Sequence, residues 1–537
     1  MYPTFATART KRHPLPWFSH YTTLTMLVIG VALGGCDAPN DRPDNTPARD
    51  AQRPATSSET WDAVFQGDAK IGYSHTRIEP LRDDTGARIK ITREQHLKLQ
   101  RFGQSLEVTV HIESVESTDG AVKSFVMRTE AGPSPIVVTG EISAHQLHIT
   151  TTSQGKRSTR AIDWPPGTGG FFADELSLKR SPMKPGEQRQ LKTLWPGLAG
   201  VRIISMDLAA LAPEDATLLD GVRRLLKIRT TIRIGDQSIE GFYWTTESGA
   251  LLKTMLAGMK QITYRTTKAV ALAKSSGMTF DLGRDSVVHV ATPLPHPYQT
   301  ARVVYQAHLR DANPVAVFVA QCGQQVTPID AHSARITVTA VRPDQPEKVA
   351  STTPPKPMDS APNNMIQSDD PQVVKLAGQV ATHTDDAWQV ALALEKWVCE
   401  AIQKKNFTQG FATAADVART LEGDCTEHAV LLAALCRARG IPTRVAVGLI
   451  YSEHDQGFAF HMWDQVWIRD RWIPIDGTLG LGGSDAAHIT LGTSSLSTSE
   501  AETMILRVAK VLGQLELRIL DVKPGSPAAP SGRAPKN

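Results

Sequence analysis

The chain of 537 residues carries little net charge and few cysteines. A formal charge of +3 is too small to indicate a nucleic-acid partner, because binding to phosphate backbones relies on a clear excess of lysine and arginine. The sequence also lacks a glycine-rich phosphate loop, a pair of carboxylates at catalytic spacing and an internal repeat. The apolar stretch 24–33 is too short to span a membrane, which takes about 20 residues. Nothing here indicates nucleic-acid binding, P-loop chemistry or a repeat architecture.

The first 36 residues have the pattern of an export signal. Basic residues precede the apolar stretch, and a run of small residues ends at Cys36. This ending resembles the lipobox of bacterial lipoproteins, which implies that residues 1–35 are a signal peptide and that Cys36 carries lipid. Such an anchor would hold the protein on a membrane, facing the periplasm or the exterior. The alternative is an ordinary secretory signal with a chance cysteine; both interpretations predict an exported protein of the cell envelope.

Four cysteines remain after Cys36. Cys399 and Cys436 both lie on predicted helices and could form a disulfide in an exported protein. Two buried free thiols are equally compatible with the sequence, which cannot fix a connectivity.

Composition divides the rest of the chain into five segments. These are a flexible tether at 36–58, a mainly β domain at 59–341, a proline-rich linker at 342–363, a catalytic domain at 364–522 and a disordered tail at 523–537. A division of the β domain near residue 285 is an alternative.

Alternating apolar and polar residues predict an antiparallel sheet with its own core in the β domain. The predicted strands lie at 89–99, 105–114, 121–128, 136–142, 147–152, 222–234, 240–246 and 251–256. One interruption, 171–195, is predicted to be a helix broken at Pro182 and Pro185. Further strands at 286–290, 302–309 and 335–341 either close this domain or form a small module.

The candidate nucleophile lies in residues 423–428, which read GDCTEH. Apolar residues at helical spacing predict a helix over 426–439, with Asp424 or Thr426 as its N-cap. Cys425 then lies in the first turn, where backbone N–H groups and the positive end of the helix dipole favour a thiolate. A thiol becomes a strong nucleophile when a helix N-terminus and an imidazolium lower its pKa.

A histidine and an aspartate follow at spacings that suit a hairpin. His461 begins a predicted strand at 462–468, and Asp476 follows a second strand at 471–475, with a tight turn at 470–471. The hairpin brings the two side chains together. A thiol enzyme needs a nucleophile, a base and a carboxylate that holds the base, so this order predicts a catalytic triad.

This part of the chain resembles the transglutaminase-like superfamily of papain-type cysteine enzymes, in its bacterial exported form. The resemblance covers about 363–520 and is carried by 411–414, 421–429, 439–448, 461–463 and 476–478. It implies an α+β fold, in which the transglutaminase-like domain follows a large, mainly antiparallel β domain. It also implies that Cys425 is the nucleophile, His461 the general base and acid, and Asp476 the residue that orients the imidazole.

Two positions depart from the family pattern. Asp464 stands where the family often has asparagine or threonine, and Cys436 stands where a small residue is usual. The family's oxyanion hole often uses a side chain upstream of the nucleophile, which makes Trp388 and Trp397 candidates, although helical tryptophans are more often core residues. Cys425 and His428 alone would be a weak metal site, so neither a metal nor a cofactor is predicted.

The leading hypothesis is a membrane-anchored thiol enzyme that acts on amide or peptide bonds through a thioester. Water would resolve the thioester in a protease or amidase, and an amine would do so in a transglutaminase. The alternative is an envelope binding or assembly protein without turnover; a third hypothesis has the β domain presenting a lipid or peptide to the cysteine. The predicted partners are a protein or peptide substrate, a membrane through lipid on Cys36, and an envelope protein through the β domain.

Overall fold

A computed structural model describes residues 57–525, except 84–85, 118–119, 198–199, 236, 259, 276–279, 322, 344–352 and 381–382. The predicted signal peptide, Cys36, nearly all of the tether and the last twelve residues, 526–537, lie outside the described residues. No helix in the described part of the chain is long and apolar enough to cross a membrane.

Most of the first half of the chain forms one large sheet with two short helices. Its strands are β1 (Ser58–Gln66), β2 (Ala69–Asp83), β3 (Gly86–Arg101), β4 (Gln104–Ser117), β5 (Val122–Glu130), β6 (Ile136–Ser143), β7 (Gln146–Ser153), β8 (Lys156–Asp163), β9 (Thr168–Gly169), β10 (Gln188–Gly197), β11 (Gly200–Leu218), β12 (Gly221–Ile234), β13 (Gln237–Thr245), β14 (Leu251–Leu256) and β15 (Gln261–Thr266). The helices are α1 (Ala173–Arg180) and α2 (Lys268–Leu272).

This large sheet is almost entirely a meander. Its order is β8-β7-β6-β5-β4-β3-β2-β1-β15-β14-β13-β12-β11-β10-β9, so that the first and last strands pair in the middle. All neighbours are antiparallel except β9 and β10. The apolar faces of both halves form one core, which includes Phe171 and Phe172 directly before α1 and Leu178 of α1.

Charged groups are also buried between this sheet and α1. Arg93 Nη2 lies 3.3 Å from Glu175 Oε2, and the Arg93 guanidinium lies 4.5 Å from the ring centroid of Phe172. The hydroxyl of Tyr243 donates to Asp174 Oδ2 at 2.7 Å. These contacts join α1 to strands from both halves of the sheet.

The predicted strands all fall on observed ones, but the helix predicted at 171–195 is wrong beyond its first part. The helix ends at Arg180, because Pro182 and Pro185 follow directly, and 188–197 is strand β10. The structure also adds strands that were not predicted, among them β8 and the long β11; the four alanines and the single proline of β11 give a weak strand signal.

The second half of the chain combines helices with two smaller sheets. Its strands are β16 (Val288–His289), β17 (Thr300–Leu309), β18 (Gln324–Pro328), β19 (Ser333–Thr339), β20 (Thr443–Ser452), β21 (Gly457–Ile468), β22 (Arg471–Ile475), β23 (His488–Ser494) and β24 (Leu515–Pro524). Its helices are α3 (Pro314–Val317), α4 (Pro371–Gln379), α5 (Ala387–Ala401), α6 (Ala414–Thr420), α7 (Cys425–Ala438) and α8 (Thr498–Ala509). Short 3-10 turns lie at Pro297–Gln299 and Pro357–Asp359.

One small sheet has the order β16-β21-β20-β23, with β22 paired to the far part of β21. The other has the order β18-β19-β17-β24. It therefore joins strands from 300–339 to the C-terminal strand 515–524, on the two sides of the predicted domain boundary at residue 341. The division of the chain at 341 stays a prediction, but the hydrophobic core around α7 includes residues of β17 and β19, which come before that boundary.

The core of this second unit lies around α7, which is buried along most of its length. Helices α4, α5 and α6 and strands β20 and β21 all contact it. An antiparallel β-rich half followed by a unit of mixed helices and sheets agrees with the α+β class expected from the sequence.

Candidate functional site

Helix α7 begins one residue earlier than predicted, at Cys425, and its cap is Asp424 rather than Thr426. Asp424 Oδ1 accepts a hydrogen bond from Thr426 N at 2.9 Å, and Glu427 Oε2 accepts one from Asp424 N, also at 2.9 Å. This reciprocal capping box satisfies backbone donors that a helix start leaves without partners. Cys425 is therefore held at the first helical position.

The predicted hairpin is confirmed, with its turn one residue earlier. Arg469 and Asp470 have φ of 49° and 60°, so these two residues form the turn between β21 and β22. Two positive φ values match the right-handed twist of the strands that such a turn joins. His461 lies inside β21 rather than at its start, and Asp476 follows β22 directly.

The hairpin brings the two predicted site residues into contact. His461 Nε2 lies 2.8 Å from Asp476 Oδ2, and both side chains are buried. Since Nε2 binds the carboxylate, Nδ1 is the ring nitrogen left for Cys425, whose charge acts on His461. Burial alone would lower the pKa of His461, but the charges of Asp476 and Cys425 and the hydrogen bond to Asp476 raise it to about 9.

A second histidine, His488, shares the carboxylate of Asp476. Its Nε2 lies 3.2 Å from Asp476 Oδ2, and its Nδ1 lies 3.0 Å from Asp485 Oδ1. Burial opposes its ionisation, but Asp485 and Asp476 raise the pKa of His488 to about 9. The two histidines in turn hold the pKa of Asp476 well below its usual range, despite its burial.

Sequence reasoning missed His488, and the only local signal for it is the aspartate three residues before it. The ligand atoms of His461, Asp476 and His488 lie within 4.8 Å of one another, a spacing that could also hold a metal ion. In the present arrangement both Nε2 atoms bond to the aspartate as donors, which gives an ion cluster rather than three free ligands.

Glu395 of α5 was also missed, and it fixes the backbone of the catalytic aspartate candidate. Its Oε1 accepts hydrogen bonds from Asp476 N at 2.8 Å and from Gly483 N at 3.2 Å. Burial raises the pKa of Glu395 to about 7.

His428 lies one turn after Cys425 and is neutral. Its Nδ1 lies 2.5 Å from the carbonyl oxygen of Asp424, and because a carbonyl only accepts, Nδ1 carries the proton. Its Nε2 therefore accepts from Lys405 Nζ, 3.5 Å away. Burial and the Lys405 charge lower the pKa of His428 to about 3. Lys405 thus adds a cation beside the candidate site.

The remaining candidates lie in or against the core around α7. Trp388 is buried in the hydrophobic core that also contains Cys425, and Trp397 packs against that core. Cys399 and Cys436 are both free thiols rather than a disulfide. Burial raises the pKa of Cys399 and raises that of Cys436 further.

The buried ionisable groups predict how stability depends on pH. Burial raises the folded-state pKa of Glu116, Glu175 and Glu395 from 4.5 to about 7 and that of Glu427 to about 8. Stability from these carboxyls is fully present below pH 4.5 and is lost as the pH rises through about 7 to 8.

The histidines extend the same trend. His461 and His488 have pKa values raised from 6.5 to about 9, so their contribution is present below pH 6.5 and is lost as the pH rises through about 9. The lowered pKa of Asp476 adds a contribution that disappears only below about pH 4. We expect maximal stability near pH 4 to 5 and a fall by several kcal/mol toward pH 9, measured by urea unfolding across this range.

Asp464 provides the matched variant for this measurement. It is buried, neither of its oxygens has a hydrogen-bond partner in the described part of the chain, and burial raises its pKa well above the usual value. Asp464→Asn keeps the volume but cannot ionise, so the fall in stability between pH 5 and pH 9 should become smaller. A wild-type stability that rises between pH 5 and pH 8 would contradict the expected trend.

The geometry of these side chains defines a class of site. A cysteine at a helix N-terminus is combined with a histidine–aspartate pair on an adjacent sheet, the arrangement of papain-type thiol enzymes. Residues 374–477 match the sequence model described as the transglutaminase-like superfamily. This range contains Cys425, His461 and Asp476. The chain therefore contains a transglutaminase-like domain, as the sequence motifs indicated.

Among curated proteins, none matches this chain. Solved structures that are similar to parts of it include the following three. A candidate cysteine protease from Cytophaga hutchinsonii is 16% identical, covers 41% of this chain and 82% of its own, with a TM-score of 0.24. A β-barrel-like protein of a domain family of unknown function from Brucella abortus is 7% identical, covers 39% of this chain and 95% of its own, and has a TM-score of 0.30. The periplasmic domain of TgpA from Pseudomonas aeruginosa, bound to ethylmercury, is 15% identical, covers 37% of this chain and 91% of its own, and has a TM-score of 0.25. At these TM-scores, no argument about function follows.

Proposed function

We propose that the protein is a cell-envelope thiol enzyme that acts on amide or peptide bonds, with Cys425 as nucleophile, His461 as general base and acid, and Asp476 as the residue that orients the imidazole. The observation that carries the proposal is the 2.8 Å contact of His461 Nε2 with Asp476 Oδ2, beside a cysteine at the first position of a helix. The transglutaminase-like match supports a thiol enzyme as the general kind.

The residues support a two-step reaction. The Cys425 thiolate attacks the carbonyl carbon and forms a C–S bond while the carbonyl π electrons move to oxygen. When the carbonyl re-forms, the C–N bond breaks, and the leaving amine takes the proton of the His461 imidazolium. A thioester at Cys425 and a neutral His461 remain.

The second step regenerates the thiolate. Water gives a proton to His461 while its oxygen attacks the thioester carbonyl, and the C–S bond breaks to release an acid. An amine in place of water would give a cross-linked amide. The positive end of the α7 dipole stabilises negative charge near Cys425 during both steps.

Two side chains set the basicity of His461. Asp476 stabilises the imidazolium form of His461, which is the form that protonates the leaving amine. His488 binds the same carboxylate oxygen and spreads its charge over two cations. We infer that His488 keeps His461 from being too strongly basic to release its proton.

The proposal includes an exported location. It rests on the basic and apolar pattern before Cys36 and on the lipobox-like ending, which fit a lipid anchor on that residue. The large antiparallel sheet would then face the same compartment and could bind an envelope protein. Mass spectrometry of the N-terminal peptide from membranes, with and without Cys36→Ser, checks both export and lipid attachment.

Hydrolysis and cross-linking are separated by one experiment on the reaction. A pool of peptides and primary amines is incubated with wild-type protein and with Cys425→Ala, and the products are compared by mass spectrometry. We expect cleaved peptides that are missing in the variant, because water is always present as acceptor. Amine-adducted peptides that depend on Cys425 would instead identify a transglutaminase.

A second candidate function has one observation in its favour. Cys425, His461 and Asp476 are 0%, 0% and 1% exposed, so a substrate needs a local movement of the side chains that cover them. A binding or assembly protein without turnover would need no such opening. Identical product spectra for wild type and Cys425→Ala, together with no reaction of Cys425 with a peptide vinyl sulfone, would favour this candidate.

A further inference from the structure

The turn between β3 and β4, residues 101–104, lies against the segment that leads to the nucleophile. The ring centroids of Phe102 and Phe407 are 5.1 Å apart, and Gln104 Oε1 accepts a hydrogen bond from Phe407 N at 3.2 Å. On its other side, Asp281 Oδ1 accepts from Phe102 N at 2.9 Å. The turn of the large sheet is therefore held by contacts with Asp281 and with the transglutaminase-like domain.

Arg101 reaches from this turn to the residue directly before Cys425. Its Nη1 lies 2.5 Å from Asp424 Oδ2, and both side chains are 0% exposed. The guanidinium also lies 5.7 Å from the ring centroid of Phe407. A buried ion pair resists separation, because loss of either partner leaves an uncompensated charge without solvent.

Asp424 therefore has two tasks. One oxygen caps α7 through Thr426 N, and the other receives the charge of Arg101. An uncompensated carboxylate next to Cys425 would oppose formation of a second negative charge on the thiol. Arg101 neutralises the charge of the Asp424 carboxylate and holds this side chain in the rotamer that caps the helix.

The ionisable groups around Cys425 come from several elements. They are Asp424, Glu427 and His428 of α7 and its cap, Lys405 of the preceding segment, His461 of β21, Asp476 after β22, and Arg101 of the large sheet. All of these except Arg101 belong to the transglutaminase-like domain. The large sheet thus contributes one cation to a site that is otherwise built from the other half of the chain.

We propose that Arg101 is a positioning residue for the nucleophile: by neutralising and orienting Asp424 it makes thiolate formation at Cys425 depend on the docked β3–β4 turn. This inference rests on the proposed role of Cys425 as nucleophile. It gives the large sheet a place in the reaction, since displacement of the turn by a partner would remove Arg101 from Asp424 and lower the reactivity of the thiol.

Further contacts hold the turn's surroundings in place. Gly410 N donates to the carbonyl oxygen of Ala131 at 2.5 Å, and Lys156 Nζ lies 2.5 Å from Asp369 Oδ1. Loss of Arg101 alone therefore leaves other connections between the two halves, so that a variant can report on the ion pair rather than on complete separation.

The test is the pH dependence of carboxamidomethylation of Cys425 by iodoacetamide in the full chain. The rate at Cys425 is followed by mass spectrometry from pH 4 to 10 after digestion at glutamates, because cleavage at Glu427 separates Cys425 from Cys436. We expect Arg101→Met to move the midpoint of reactivity upward by about one pH unit, a roughly 10-fold slower reaction at neutral pH. Arg101→Lys, which keeps the charge, should recover most of the wild-type midpoint.

Two further variants separate charge from packing. Arg101→Met with Asp424→Asn removes both charges and keeps a good helix cap, so the midpoint should return toward the wild-type value. Arg93→Met is the matched control, because Arg93 is a buried, ion-paired arginine of the same strand whose partner Glu175 lies on α1, away from Cys425 in the other half of the chain. It should lower the melting temperature without moving the midpoint.

The outcomes are distinct. A folded Arg101→Met variant with a wild-type midpoint, or a shift of equal size in Arg93→Met, overturns the inference. If Cys425 of the wild type does not react at any pH, the proposed nucleophile itself fails, and the inference with it. If Arg101→Met does not fold, Asp424→Asn alone decides: the unbalanced cation should lower the midpoint, and an unchanged midpoint overturns the inference.

Discussion

Asp476→Asn should lower the Cys425-dependent turnover by about 10³- to 10⁴-fold, the size of effect seen when the aspartate of a catalytic triad loses its charge. The carboxylate is the anion that holds His461 in its imidazolium form, at 2.8 Å from Nε2. An asparagine amide can donate to Nε2 instead of accepting from it. The proton then moves to Nδ1, the nitrogen that must face Cys425 as a base.

The measurement is the rate of product formation in the peptide pool, with the rate of vinyl sulfone labelling of Cys425 as a second readout. Asp485→Asn is the matched control, because Asp485 bonds to His488 at 3.0 Å but not to His461. For this control we expect the rate of product formation to fall by no more than about 10-fold. Equal losses in both variants would show that the whole ion cluster, rather than the His461–Asp476 contact, supports the reaction.

Gly423→Ala should reduce the reactivity of Cys425 by about 100-fold, because a small displacement of a reacting group costs that much. Gly423 has φ of +147°, which side-chain-bearing residues rarely adopt. A Cβ there would lie 2.3 Å from the Cβ of Glu427, the residue that closes the capping box. Either the cap opens or the helix start moves, and Cys425 moves with it.

The far end of the same helix offers the control. Gly440 has φ of +75°, but an added Cβ would have no atom within 4 Å. Gly440→Ala should therefore cost about 1 kcal/mol of stability from backbone strain and leave the labelling rate of Cys425 unchanged. We expect slower labelling of Cys425 in Gly423→Ala than in the wild type, under conditions in which circular dichroism shows the variant to be folded. Unchanged labelling in that variant would contradict the expectation.

Much of the candidate site followed from the sequence because its parts are local. The cap of α7 depends on Asp424 and Glu427, three residues apart, and the contact of His461 with Asp476 depends on a hairpin of about fifteen residues. Such arrangements are encoded by turn and capping signals within one segment. The one-residue shifts at the helix start and at the turn are the usual uncertainty of element ends.

The large sheet was predicted in part for the same reason. Strands with clear alternation, such as β3, β4 and β12, were found, because their side chains face the core at every second position. The sequence predicts that the helix continues to residue 195, but the structure has strand β10 at 188–197, which pairs with β11 over ten residues. Pairing with a distant strand decided its conformation, and local propensity carries little information about such pairing.

The sequence by itself determined the local parts of the candidate site: a cysteine at a helix start, and a histidine and an aspartate on one hairpin. Only the tertiary structure decided which charges surround them. Glu395, His488 and Arg101 are separated from Cys425 by many residues, and no local pattern connects them to it. Their influence arises from burial in a shared low-dielectric core, where a charge must find a partner wherever the chain brings one.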